Sequence, residues 1–124
     1  MLTPDHFDSQ SAELLRSGRP VLAGISGGRD SMALLSLLSG MPGCNLVACH
    51  VNHQLRPEAE EEEMFVLRYA ASLGIPCVRE RVNVRSMAYT RGIAIEEAAR
   101  EARQASFLKW AAGYPGALVA LAHH

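Results

Sequence analysis

The sequence has no excess of charge of either sign and no long hydrophobic run. It contains 12 lysines and arginines and 13 aspartates and glutamates, which give a formal net charge of −1 at pH 7. This balance provides no overall positive field for a nucleic acid, so such a partner must be held by a local patch or by another domain. No apolar stretch approaches membrane-spanning length, and the first residues, with Pro4, Asp5 and Asp8, lack the pattern of a signal peptide. These absences predict a cytoplasmic protein with no membrane partner.

Cysteine is also scarce. Cys44, Cys49 and Cys77 form neither an even-numbered disulfide framework nor a C-x-x-C pair. We therefore expect reduced thiols.

What the sequence does have is 124 residues, the length of one domain, and a hydrophobic share of 48%, which is enough for a packed core.

Short apolar runs alternate with longer amphipathic runs along the chain. They predict strands over 21–25, 46–51, 77–82 and 117–122, and helices over 8–17, 32–38, 57–73, 86–90 and 95–112. Because alternating strands and helices form β-α-β crossovers, we expect an α/β fold with a parallel sheet. The glutamates at 58 and 60–63 begin one helix, where the dipole favours carboxylates, so we interpret them as a solvated helix start and not as a metal site.

The junction between the first strand and the next helix is the most informative segment. Residues 24–28 match G-x-S-x-G, the elbow that presents a nucleophilic serine in hydrolases. The same segment suits phosphate, because Gly27 and Gly28 permit close approach at a helix N-terminus whose amides attract anions. Ser26 and Ser31 add hydroxyl donors. The hydrolase interpretation is disfavoured, since that elbow normally follows several strands and precedes a catalytic acid and a histidine.

Asp30 is the residue that a phosphate loop does not explain. A carboxylate beside a phosphate is repelled unless a magnesium ion, an amine substrate or the Arg29 guanidinium lies between them. The alternative is that Asp30 serves only as a helix cap. The loop is neither a Walker A loop, since no Gly-Lys-Ser/Thr follows, nor a dinucleotide fingerprint.

Several segments together carry a resemblance to a known family. Residues 26–31 match the S-G-G-x-D-S signature of PP-loop ATP pyrophosphatases. Residues 50–56 resemble the H-V-N-H-x-L-R segment of tRNA(Ile)-lysidine synthases, and residues 95–100 with Arg103 resemble their L-E-E-A-A-R-x-x-R helix. The Leu-Gly-Ile-Pro at 73–76 and the Leu-Ala-His-His at 121–124 fit the same family. The chain differs at Gln104, where tyrosine is usual, and by lacking the acidic residues that follow His124 in that family.

This resemblance implies a Rossmann-like PP-loop fold and a ligase that uses ATP and Mg²⁺. The implied reaction joins L-lysine to C2 of the wobble cytidine of a tRNA(Ile) with a CAU anticodon, through an adenylated intermediate, giving lysidine. The residues implied to bind ATP are Ser26, Gly27, Gly28, Arg29, Asp30 and Ser31, with the main chain of Val51 at the adenine. Asp30 is further implied as the magnesium ligand, and Asp30 and Arg100 as catalytic residues.

Other interpretations stay open at this point. A tRNA thiolation enzyme would normally carry a C-x-x-C pair, and a non-catalytic ATP-binding module would keep the same kind of sheet. His50 and His53 are more typical of loop hydrogen bonds than of metal ligands. We interpret Arg100 as a phosphate or RNA contact and Arg103 as a solvated helix residue. Because the chain stops with its fourth strand, we expect residues 1–124 to be an N-terminal PP-loop domain fragment with little or no activity alone.

Overall fold

The computed structural model describes residues 13–121, and its strands and helices alternate as the sequence predicts. The strands are β1 (Pro20–Gly24), β2 (Asn45–Asn52), β3 (Cys77–Arg81) and β4 (Leu118–Leu121). The helices are α1 (Arg29–Ser39), α2 (Ala59–Ser72), α3 (Val84–Arg91) and α4 (Ile95–Ala112). Residues 13–15 are helical, in agreement with the helix predicted over 8–17. Residues 8–12 of that predicted helix lie outside the described residues, as do His123 and His124.

The four strands form one parallel sheet in the order β3-β2-β1-β4. Gly24, the last residue of β1, is aligned with Cys49 in β2 and with Leu121 in β4. Along the chain, β2 and β3 therefore follow on one side of β1, and β4 then pairs with the other side of β1. Ligands of open α/β sheets bind at the carboxyl ends of the strands where the order reverses, which here lies between β1 and β4.

Helices cover both faces of the sheet, so the predicted α/β architecture is confirmed. On one face, α1 and α2 pack against alternate residues of β1 and β2. On the other face, Trp110 of α4 packs against Leu22 and Val47. Helix α3 packs on α4 through a small cluster of buried side chains, namely Val84, Ala88, Ala98 and Ala102. In the described part of the chain, no helix combines the length and the hydropathy needed to cross a membrane.

The interpretation of the whole glutamate run as solvated is wrong at Glu63. This side chain is 0% exposed. Its carboxylate accepts hydrogen bonds from Arg81 Nη2 at 2.8 Å and Asn52 Nδ2 at 3.1 Å, and it also pairs with Arg79. These bonds, that of Arg81 foremost, lower the pKa of Glu63 to about 2 against the opposing effect of burial. The buried Glu63 carboxylate thus links α2 to β3 and to the end of β2 by hydrogen bonds and ion pairs.

Candidate functional site

The glycine loop, residues 25–28, joins β1 to α1. The N–H of Ile25 still donates to the carbonyl oxygen of Cys49 at 2.8 Å, so the chain leaves the sheet only after this residue. Gly27 then adopts φ +92° and lies against α2, where an added Cβ would come within 3.7 Å of Glu62 Cβ. Only glycine adopts this φ without strain, so the positive φ expected at the glycine pair is present at Gly27.

The N-terminus of α1 is uncapped by any side chain. Gly28 is the N-cap residue and has extended backbone angles. Among the described residues, the backbone N–H groups of Gly27, Arg29 and Asp30 donate no hydrogen bond. Helix N-termini with unpaired amides attract anions, because the amide dipoles and the helix dipole point the same way. The loop therefore has the donors that a phosphate group requires.

Ser26 and Ser31 form a hydrogen-bonded pair inside this loop. Ser31 Oγ accepts from the Ser26 N–H at 3.0 Å and donates to the Gly28 carbonyl at 3.1 Å. Because its single proton is used there, Ser26 Oγ is the donor in the 3.1 Å contact between the two hydroxyls. Within the described residues, neither a histidine nor a carboxylate is hydrogen-bonded to Ser26 Oγ. This part of the chain therefore supplies no general base to Ser26, as a nucleophilic serine would require.

Arg29 and Asp30 are exposed in the first turn of α1. Asp30 follows the N-cap Gly28 by two positions and makes no cap hydrogen bond, so the helix-cap alternative is wrong. No group of three or more His, Cys, Asp or Glu side chains suited to a metal occurs in residues 13–121. A magnesium ion bound through substrate phosphates needs only one or two protein carboxylates. The exposed Asp30 fits as one such carboxylate, and the unpaired amides beside it suit the phosphates.

A cleft of about 430 Å³ opens at the carboxyl ends of β1 and β2. Its walls are formed by the glycine loop, the end of β2, the segment that follows it, the start of α2 and one side of α4. Of the predicted site residues, Ser26, Ser31 and Val51 line this cleft. Residues 27–30 do not line it and continue the loop from Ser26 into α1.

The main chain of Val51 faces the cleft. The N–H of Ala48 bonds to the Pro76 carbonyl beside β3, whereas the Cys49 carbonyl bonds to Ile25 beside β1. Successive residues of a strand direct their N–H and C=O to opposite neighbours, so Val51 is directed toward β1, as Cys49 is. Since β1 has ended by this level, the N–H and C=O of Val51 have no strand partner on that side among the described residues.

The two histidines of β2 and its following segment differ in their bonding. His50 is buried, and its Nδ1 lies 2.6 Å from the carbonyl oxygen of Ile25, so Nδ1–H donates to the glycine loop. His53 lies in the cleft wall, and its Nδ1 is buried without a hydrogen-bond partner among the described residues. Burial lowers the pKa of His53, and the nearby Arg103 and His50 lower it further. The expected hydrogen-bonding role is therefore seen at His50.

Asn52 was missed by sequence reasoning although it shapes the cleft wall. It is 2% exposed, and its Oδ1 accepts from the Gln54 N–H at 2.9 Å. Gln54 has φ +55°, an unusual conformation for a residue other than glycine. Through its Nδ2 bond to Glu63, Asn52 connects this turn to the buried ion pair. An Asn bonded to the backbone two residues ahead is a common turn, which is the sequence signal that was available.

The structure brings Arg103, and not Arg100, to the cleft. Arg100 is exposed, is not among the lining residues, and donates to Glu97 Oε1 at 2.6 Å. That hydrogen bond raises the pKa of Arg100. Arg103 lines the cleft together with Phe107 and has no ion-pair partner among the described residues. It is exposed, as a solvated helix residue would be, but it is exposed to the cleft.

Comparison with known protein families and solved structures identifies the same type of loop and the same type of fold. Residues 4–124 match the family ATP_bind_3, described as a PP-loop domain, and the chain belongs to this family. It is 40% identical to the tRNA(Ile)-lysidine synthase of Pseudothermotoga lettingae over 119 residues, which are 93% of this chain and 26% of that protein. The synthase of Thermus thermophilus is 42% identical over 85% of this chain and 20% of its own length. That of Bacillus subtilis is 36% identical over 90% of this chain and 24% of its own length.

The chain thus spans about a quarter of the length of the curated relatives it matches. Solved structures show the same fold at lower identity. The U34-tRNA thiolase NcsA from Methanococcus maripaludis, with its [4Fe-4S] cluster, has a TM-score of 0.67 at 16% identity and covers 98% of this chain and 47% of its own. The NH3-dependent NAD synthetase of Campylobacter jejuni has a TM-score of 0.60 at 20% identity and covers 91% of this chain and 56% of its own. These likenesses confirm the PP-loop type of α/β fold.

Proposed function

We propose that this chain is the ATP-binding part of an enzyme that makes lysidine in tRNA(Ile). ATP adenylates the C2 oxygen of the wobble cytidine in a CAU anticodon, and pyrophosphate leaves. The amine of L-lysine then attacks C2, and AMP leaves. The observation that carries the proposal is the uncapped helix N-terminus beside the cleft, in a chain homologous to tRNA(Ile)-lysidine synthases. A tRNA substrate implies a cytoplasmic site of action.

The glycine loop holds the phosphates in this proposal. The free amides of Gly27 and Arg29 donate to phosphate oxygens, and the fixed hydroxyls of Ser26 and Ser31 keep the loop in shape. Donors that are already in place stabilise charge as it develops on the leaving pyrophosphate, without reorganising during the reaction. Arg29 adds a positive charge at the same turn.

Asp30 has two candidate roles at this loop. It would hold a magnesium ion together with phosphate oxygens, and such an ion neutralises charge on the departing pyrophosphate when bound. It would also orient the amine of lysine, which is a cation before it reacts. Both roles explain an exposed carboxylate next to unpaired amides, and neither requires a preformed cluster of acidic residues.

The adenine of ATP is assigned to the end of β2. The Val51 N–H and C=O face the cleft, and together they match the donor and acceptor on one edge of adenine. No covalent protein nucleophile is needed, because the lysine amine attacks directly. The protein contributes positioning and electrostatic stabilisation. Arg100, exposed on α4 outside the cleft, is proposed to contact RNA phosphate.

A tRNA thiolation enzyme is the nearest alternative, because NcsA has the same fold. The cysteines of this chain do not favour it. Cys77 packs with the core on the α1 and α2 face of the sheet, whereas Cys49 packs on the α4 face. Burial raises the pKa of Cys49 to about 12, which disfavours the thiolate that sulfur transfer requires.

ATP–pyrophosphate exchange tests the proposal. The full-length protein, given ATP, labelled pyrophosphate and tRNA(Ile) but no lysine, should form labelled ATP because adenylation is reversible. Exchange should require tRNA. Stable ATP binding without exchange would instead indicate a non-catalytic ATP-binding module. Residues 1–124 alone should form little or no lysidine, and efficient formation by this chain would contradict our expectation that the site is completed elsewhere.

A further inference from the structure

Arg103 differs from the other basic residues of α4. Arg100 pairs with Glu97, and Lys109 donates to Glu80 Oε1 at 3.0 Å. Arg103 has no such partner in the described part of the chain, although it lines the cleft. Helix α4 therefore presents one uncompensated positive charge, and it presents that charge to the cleft.

Arg103 lies one helical turn before Phe107, and both residues line the cleft. A Cβ added to Gly24 would lie 3.2 Å from Phe107 Cζ and 2.5 Å from Leu121 Cδ2, so this part of α4 rests on the carboxyl ends of β1 and β4. Arg103 lies beside the reversal of strand order, where ligands of such sheets bind. Because α1 and α4 cover opposite faces, Arg103 and the glycine loop flank the cleft from two sides.

The surroundings of Arg103 leave room for an anion. The acidic side chain that lines the cleft, Glu62, is paired with Arg56. His53 lines the same cleft, and its burial, followed by the charge of the nearby Arg103, lowers the pKa of its imidazole. The buried Nδ1 of His53 also has no partner within residues 13–121. This end of the cleft therefore presents a guanidinium with no ion-pair partner among the described residues, and a guanidinium suits the oxygens of a phosphate group.

We propose that Arg103 binds a phosphate group of a substrate in the cleft, on the side opposite the amides of the glycine loop. The inference rests on the proposed function, since it takes the cleft to be the site of the nucleotide and the reacting tRNA. The phosphate comes either from the nucleotide or from the tRNA backbone. Both sources present the same charged oxygens to the guanidinium, and binding measurements separate them.

The test uses the full-length protein and four forms of it: wild type, Arg103→Gln, Arg103→Lys and Arg68→Gln. Arg68 is the matched control, because it is an exposed arginine on α2 that does not line the cleft. ATP affinity is measured by calorimetry, and affinity for a tRNA(Ile) transcript by filter binding at several salt concentrations. Loss of a charge-assisted contact should weaken one affinity roughly tenfold or more in Arg103→Gln. Arg103→Lys should recover part of the loss because it keeps the charge.

Weaker ATP binding in Arg103→Gln, with Arg68→Gln unchanged, supports the nucleotide as the source. Weaker tRNA binding, with a salt dependence reduced by about one unit of slope, supports the tRNA backbone. If wild type binds both ligands and Arg103→Gln binds them equally well, this inference is overturned while the proposed function stands. If wild type binds neither ATP nor tRNA, both fail.

Discussion

The imidazole Nδ1 of His50 and the carbonyl oxygen of Ile25 lie 2.6 Å apart, so a side chain of β2 holds the glycine loop just after β1 has ended. Removing this donor would leave a buried carbonyl without its partner. We expect His50→Leu, which keeps most of the volume, to lower the free energy of unfolding by about 1–3 kcal/mol. ATP affinity should fall as well, because the loop loses one of its anchors.

Urea denaturation and ATP titration measure these two effects. The matched control is His53→Leu, three residues along, since His53 Nδ1 has no hydrogen-bond partner among the described residues to lose. Its cost in stability should be smaller than that of His50→Leu. Equal losses in the two variants would show that the bond between His50 and Ile25 does not stabilise the loop.

The buried carboxylate of Glu63 predicts a pH dependence of stability. Its pKa is lowered from 4.5 to about 2 in the folded protein, so its ion pairs stabilise the fold fully above pH 4.5. This contribution is lost as the pH falls from about 4.5 to 2, because the unfolded state then takes up a proton at Glu63 that the folded state binds only weakly. Glu63→Gln should reduce stability at pH 7 by about 2 kcal/mol and flatten the acid limb.

The measurement is the unfolding midpoint in urea between pH 7 and pH 2.5. Glu61→Gln is the control, since Glu61 is an exposed glutamate on the same turns of α2 and is in no ion pair of the described residues. It should leave the profile close to that of wild type. An acid limb in Glu63→Gln as steep as in wild type would assign the acid sensitivity to other carboxylates.

The order of strands and helices could be predicted because it depends on local patterns. The sequence predicts the third strand over 77–82, for example, and in the structure it spans Cys77–Arg81. The prediction that Glu63 is solvated is wrong because Glu63 belongs to a run of glutamates, in which the helical periodicity is easily overlooked. It shares the buried face of α2 with Val66 and Ala70, at spacings of three and seven residues, and this periodicity was available. Its partners on β3 lie 16 and 18 residues away, so their pairing depends on the tertiary fold.

The site was predicted less completely than the fold. The glycine loop could be located, since a strand, two glycines and a helix start are local features. The sequence analysis chose Arg100 over Arg103 as the phosphate or RNA contact, but periodicity separates the two weakly, because residues three apart on a helix point only about 60° apart. Which of them faces the cleft depends on how α4 sits against β1 and β4, where Phe107 meets Gly24.

The glycine pair offers a test of the loop conformation itself. Gly27 has φ +92°, whereas Gly28 has φ −76°, which any residue adopts. Gly27→Ala should therefore cost roughly 1–3 kcal/mol of stability. Gly28→Ala should cost less, because an added Cβ meets only Ser26 Oγ, at 3.4 Å. Thermal denaturation of both variants measures the difference. Equal costs would mean that Gly27 does not hold a positive φ in solution.

Asp30 is the residue whose substitution tests the phosphate site most directly. We expect Asp30→Asn to weaken ATP binding in the presence of magnesium by roughly tenfold, about 1.4 kcal/mol, because a ligand of the ion is lost. Without magnesium the same variant should bind ATP at least as well as wild type, since a negative charge beside the phosphates has been removed. The measurement is calorimetric titration with ATP, with and without MgCl₂. Glu61→Gln removes an exposed acidic charge of α2 outside the cleft and controls for net charge. If Asp30→Asn lowers ATP affinity equally in both conditions, Asp30 supports the loop without binding magnesium, and its role in holding the lysine amine becomes the one to examine.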